Sequence, residues 1–133
     1  EQSGSGYIVA SLGQASGYVP YTVYMARDDF MQENPDVIEA FTRAIYKGQL
    51  WVKEHTSAEI AEAILPQFPD SDLETLTTII ERYKAQDTWK EDPVFSEEGF
   101  ELIQDIMQAG GELDTRVPYD DLIRTDFAEK AMQ

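Results

Sequence analysis

The spacing of apolar residues in this chain changes at Asn34. Before it, β-branched and aromatic residues fall close together, in Tyr7-Ile8-Val9-Ala10 and again from Tyr18 to Met25. Such runs suit a pleated, half-buried surface and predict short strands over 7–13 and 21–25. The second begins no earlier than Tyr21, because Pro20 donates no ladder hydrogen bond. The glycine- and serine-containing run Gln14-Ala-Ser-Gly17 between them reads as a loop. After Asn34 the period lengthens. Val37, Phe41, Ala44, Ile45, Gly48 and Val52 recur at helical spacing, with Ile38 and Trp51 widening the stripe, so a helix with one core-facing side is expected from Pro35 to about Glu54. Asn34 supplies an N-cap acceptor, Pro35 fits the first helical position and Asp36 suits the positive end of the helix dipole. Trp51 is expected in the core, and Gly48 signals close packing against a neighbour.

Further capping signals divide the remaining residues into helices. A single turn opens at Asp28 or Asp29. Thr56-Ser-Ala-Glu59 matches a capping box ahead of Ile60, Ala61, Ile64 and Leu65, with a stop near Pro66. Ser71-Asp-Leu-Glu74 reads as a second box, with Ser71 as the cap and Leu73, Leu76, Ile79, Ile80 and Tyr83 on one face. Ser96 opens a helix with Phe100, Ile103, Ile106 and Met107 inward, ending at Gly110-Gly111. Thr125 caps a short last helix bearing Phe127, Ala128 and Ala131. Two strands at one end and about six helices after them do not make the alternation of a complete α/β domain. Further strands are therefore expected upstream.

Composition narrows the functional classes. Of 133 residues, 26 are acidic and 10 basic, a formal net charge of -16. Nucleic acid is excluded as an expected partner, since phosphate binding needs clustered Lys and Arg. Most of this charge lies late: residues 1–56 hold 7 acids and 4 bases, and residues 57–133 hold 19 and 6. Solvated helix faces account for that excess. No cysteine is present, so disulfides, thiolate metal sites and cysteine catalysis are absent from these residues. No apolar run is long enough to cross a bilayer, and any targeting signal is expected upstream.

The ordered set Ile8-Val-Ala-Ser-Leu-Gly13, Gly17-Tyr-Val-Pro-Tyr-Thr22, Asp29-Phe30 with Asn34-Pro35, Ala40-Phe-Thr-Arg-Ala-Ile-Tyr-Lys-Gly48 and Pro118-Tyr-Asp-Asp-Leu122 resembles the C-terminal portion of ABC-transporter solute-binding proteins. The group in question includes sulfonate, nitrate and thiamine-pyrimidine binders. The resemblance implies an α/β fold class, here a fragment of a type II periplasmic-binding-protein fold, predominantly helical with about two N-terminal strands. Residues 1–26 would end one lobe and cross to the other, and residues 27–133 would form the helical C-terminal part of that second lobe. It further implies a small-molecule ligand in an interlobe cleft, an ABC permease as partner of the full-length protein, an extracytoplasmic location, no cofactor and no enzymatic activity. Strands deprived of neighbours also predict self-association of the fragment or exchange of its N-terminal segment.

Candidate ligand contacts follow from residue chemistry. Gln14, Ser16, Gly17, Tyr18 and Tyr21 combine backbone access, a hydroxyl and flat rings with polar tips, the mix expected in a small-molecule cleft. The alternative is an ordinary turn with its tyrosines packed down. Trp89, in the irregular stretch Asp87 to Pro93, either lines the cleft or anchors its own loop. His55 follows Glu54 at a helix end, where a cation suits the dipole. The paired acids Asp28-Asp29, Asp70 with Asp72, and Asp120-Asp121 lack the calcium-loop pattern and read as caps, so no metal is expected. Two other functions remain open: an acidic helical protein-interaction module, and an enzyme of the thiamine-pyrimidine type using pyridoxal phosphate.

Overall fold

The computed structural model describes residues 3–133, and every described element is helical. In chain order these are α1 (Leu12–Ser16), α2 (Asp28–Glu33), α3 (Pro35–Glu54), α4 (Ser57–Ile64), a 3-10 turn (Leu65–Gln67), α5 (Leu73–Ala85), α6 (Glu97–Ala109), α7 (Tyr119–Leu122) and α8 (Asp126–Ala131).

The expected α/β class is therefore corrected: no strand occurs among the described residues. Residues 18–27 form no regular element, neither that segment nor 7–11 joins a ladder, and Val9, Tyr21 and Met25 are 96%, 98% and 88% exposed. β-propensity measures the fit of a side chain to a sheet surface, and it builds nothing without a neighbouring strand. The expected loop at Gln14–Gly17 is also corrected. The Ser11 hydroxyl accepts the Gln14 N–H at 3.4 Å and starts α1 inside the first expected strand, and Gly17 ends it at φ 82°.

The chain forms two compact units, each discontinuous in sequence: Glu1–Val23 with Ser96–Leu122, and Tyr24–Phe95 with Ile123–Gln133. The second contains α2 to α5 and α8. Its core is Ile60, Ala61, Leu76 and Ile80 from α4 and α5, against which Val52, Ile64 and Leu65 pack. The capping box of α4 is complete, with the Thr56 N–H bonded to Glu59 Oε2 at 2.8 Å and the Glu59 N–H to Thr56 Oγ1 at 3.3 Å. Those bonds to Thr56 hold the Glu59 carboxyl below its usual pKa range. α5 begins one residue later than the Ser71 cap implies, because Asp72 accepts the Thr75 N–H at 2.7 Å, which likewise lowers its pKa. Lys84, near the end of α5, donates to the carbonyls of Val52 and His55 at 3.1 and 2.6 Å and closes the end of α3.

α3 starts and stops as expected, but its faces are redistributed. Asn34 precedes it without a side-chain cap. Its amide group instead donates to Phe30 O at 3.2 Å, closing α2, while its carbonyl accepts the Val37 N–H. Ile38, Ile45 and Val52 are half-buried, whereas Val37, Phe41, Ala44, Gly48 and Trp51 are exposed. Trp51 is thus a surface residue rather than a core one. It is 37% exposed, and its ring stacks on His55 at 4.1 Å. A Cβ at Gly48 would meet nothing within 4 Å, so the close neighbour its presence suggests is not among the described residues.

Candidate functional site

The other unit is organised by α6. Ser96 caps it by accepting the Gly99 N–H at 3.2 Å, and Gly110 with Gly111 (φ 75°) ends it. Phe100 is buried and meets Tyr119 edge to face at 5.7 Å. One turn on, Gln104 is 5% exposed and satisfies both its polar ends on Val117. Its Nε2 donates to the Val117 carbonyl at 3.2 Å, and its Oε1 accepts the Val117 N–H at 2.7 Å. Arg116 then reaches back to Glu101 and Asp105, one helical turn apart on α6, and donates to the Glu101 carbonyl at 3.0 Å. The pairing, led by the bond to Asp105, raises the already high pKa of the guanidinium. α6 therefore serves as a rigid bar onto which flanking segments are tied.

The candidate contact residues Gln14 to Tyr21 are tied to this bar through two glycines. At Gly17 a Cβ would stand 3.6 Å from Leu102 Cδ2. At Gly99 it would stand 3.0 Å from Ser96 Oγ, 3.4 Å from the Tyr18 carbonyl oxygen and 3.5 Å from Pro20 Cδ. The Tyr18–Pro20 backbone therefore lies within van der Waals reach of the first turn of α6, and the tightest contact a side chain there would meet is the capping hydroxyl of Ser96. Gln14 and Ser16 lie on α1, and the Ser16 hydroxyl donates to the Leu12 carbonyl at 2.8 Å. Tyr18 and Tyr21 are 76% and 98% exposed. The backbone is thus held down while two aromatic rings project outward.

Trp89 belongs to the other compact unit. It meets the Tyr83 ring edge to face at 5.5 Å, which gives it a local anchoring contact at the end of α5. The loop around it is held by Gln49, which donates to the Asp92 carbonyl at 2.9 Å. His55 terminates α3: its Nδ1 lies 2.7 Å from the Trp51 carbonyl, which can only accept, so Nδ1 carries the proton.

Residue patterns did not single out Gly99, Gln104 or Arg116. A glycine just inside a helix start, where Glu or Gln would complete a capping box, is the signal that points to Gly99. A hollow of about 230 Å³ in the Tyr24–Phe95 unit was likewise unforeseen. Pro35, Arg124, Phe127 and Lys130 line it, and both cations already have partners, Arg124 with Asp126 at 3.1 Å and Lys130 with Glu39 at 2.6 Å. These bonds raise both pKa values. Both cations also sit about 6 Å from the Phe127 ring centroid, at 6.0 and 5.8 Å, which makes the hollow a packed corner of α3 and α8.

The chain is 45% identical over 130 residues, 98% of its length, to a protein of Bacillus subtilis (strain 168) named "Putative binding protein YtlA", and it spans 39% of that relative's length. That relative is named as a binding protein and not as an enzyme. No family model matches the chain, and no solved structure matches it.

Proposed function

We propose that this chain is part of the substrate-binding component of an ABC importer for a small polar or heteroaromatic nutrient. The similarity to a protein named as a binding protein, extending over almost the whole chain, carries that reading. The same reading makes the protein extracytoplasmic, as a periplasmic or lipid-anchored component, and gives it a membrane permease as partner. No step of covalent chemistry is assigned to it. Its work is to enclose a ligand and present the closed form to the permease.

The Gln14–Tyr21 segment is the contact surface this reading favours. Its backbone is fixed against α6 before any ligand arrives, so little ordering entropy opposes binding. Two exposed tyrosines offer ring faces to a heteroaromatic group and hydroxyls to a polar one. Thermal-shift screening of the full-length polypeptide against pyrimidines, sulfonates, nitrate and flavins tests the proposal. A ligand at one hundred times its Kd stabilises by about 2.7 kcal/mol, a readily measured rise in melting temperature. The double variant Tyr18→Ala/Tyr21→Ala should abolish that rise. A panel in which no compound shifts the melting temperature refutes the transport reading, and a shift that survives the double variant removes these tyrosines from the site.

A further inference from the structure

The longest helix of the chain has an apolar side that its own unit leaves open. Along α3, Val37, Phe41, Ala44, Gly48 and Trp51 follow at steps of four, three, four and three, which places them in one seam parallel to the axis. All five are exposed, and α3, although 20 residues long, contributes no buried residue among those described. The two neighbouring positions at the seam's centre are small. Gly48 stands in a helix interior, where it destabilises relative to alanine, and a Cβ there would meet nothing. Charge supports contact as well: α3 carries Asp36, Glu39 and Glu54 against Arg43, Lys47 and Lys53, net zero in a chain of net -16. A neutral apolar seam with a central notch is the form of a helix side made for close approach.

We infer that this seam is the seat of a further apolar element from the same polypeptide at the length of its relative, seated on the Ala44–Gly48 notch. The argument for that occupant is length. A protein 45% identical to the chain contains more than twice as much polypeptide, and this chain accounts for only 39% of it. The exposed flank fits the same account: Tyr24 lies edge-on to Phe41 at 4.9 Å and is itself 75% exposed, so it borders the seam without closing it. This inference does not depend on which ligand is bound. Assembly without any ligand response would sink the transport reading and leave the seam standing, and the reverse result would do the opposite.

The test is to co-express the chain with the part of the Bacillus subtilis relative that lies outside the match and to size the products by sedimentation velocity. A one-to-one complex is expected. Gly48→Arg and Ala44→Glu should each weaken it at least tenfold, whereas Glu81→Arg, on exposed α5 surface, should leave it unchanged. Ala44 is exposed and a Cβ at Gly48 meets nothing within 4 Å, so the free chain should keep its far-UV circular dichroism. Because the chain has no cysteine, Phe41→Cys gives one labelling site, and its reaction with a maleimide should slow at least tenfold in the complex. Absence of a complex overturns the inference, and so does a complex indifferent to both seam variants. A homodimer that Gly48→Arg dissolves overturns it too, by giving the seam to a second copy.

Discussion

Alanine in place of two glycines should have opposite effects. Gly48 and Gly99 both lie within helices, so each Gly→Ala change brings about 0.5–1 kcal/mol from reduced backbone freedom in the unfolded chain. At Gly48 nothing opposes that gain, because the new methyl meets no atom within 4 Å. At Gly99 two costs oppose it. The methyl would lie 3.0 Å from Ser96 Oγ, and turning that hydroxyl away gives up an N-cap bond of about 1 kcal/mol. It would also lie 3.4 Å from the Tyr18 carbonyl, at the edge of ordinary van der Waals contact with a backbone atom, a crowding cost of up to about 1 kcal/mol. Gly48→Ala should therefore stabilise by about 0.5–1 kcal/mol, and Gly99→Ala should destabilise by up to about 1 kcal/mol. Both tryptophans lie in the Tyr24–Phe95 unit, so fluorescence reports Gly48 but not Gly99. Urea unfolding followed by far-UV circular dichroism, with amide hydrogen exchange at Tyr18–Tyr21, reads both. If Gly99→Ala stabilises as much as Gly48→Ala and exchange at Tyr18–Tyr21 is unchanged, the segment is not seated on α6 as described.

Gln104→Leu should cost about 1–3 kcal/mol, the sum of two hydrogen bonds to Val117, and remove exchange protection from the Val117 amide; unchanged protection there would contradict the pairing. Glu59 and Asp72 have folded-state pKa values below their unfolded ones, so the stability they contribute is present above the ordinary carboxylate range near about 4 and is lost as pH falls through their lowered values. Helical signal followed from pH 5 to pH 2 should decline with a shallower slope in Glu59→Gln/Asp72→Asn, and identical slopes would assign acid sensitivity elsewhere. Tyr83→Leu should shift the emission of Trp89, measured in a Trp51→Phe background, and cost about 0.5–1.5 kcal/mol; an unmoved spectrum would mean the rings do not meet in solution.

The starts of α3, α4 and α6 were legible because their determinants are local. Thr56 with Glu59 and Ser96 with Gly99 each act within four residues, a range over which a side chain reaches the same backbone groups in almost any tertiary setting, and Pro35 suits the first turn of α3 through its own ring. Ser71 and Asp72 are both competent caps, and nothing in their order says which backbone will use. The strands were illegible for the converse reason. Tyr7–Val9 and Tyr21–Met25 have side chains for a sheet, but the ladder must come from elsewhere, and the nearest available local bond, from Gln14 to Ser11, turned part of the first run into helix. Period alone likewise located the apolar stripe of α3 but not which half of it would meet α4, α5 and α8.

At the candidate site, glycine and tyrosine content pointed to Gln14–Tyr21, while the residues that hold it stayed hidden. Gln104 falls at the same helical phase as Phe100, and its partner is a backbone group thirteen residues away, which no spacing rule encodes. Arg116 is visible only as one basic residue among many acids until α6 brings Glu101 and Asp105 to the same side.

The ion pair between Glu39 and Lys130 joins residues 91 apart in sequence. Drawing such distant points together costs about 4 kcal/mol of loop entropy, against about 2.5 kcal/mol for the sixteen-residue span from Ile60 to Leu76. The α4–α5 pair can therefore assemble early, while a growing chain must extend through the last helix before α8 can shield its side of α3. During synthesis that helix remains without its C-terminal partner throughout, and a nascent chain stalled before residue 126 would present it to any holdase within reach.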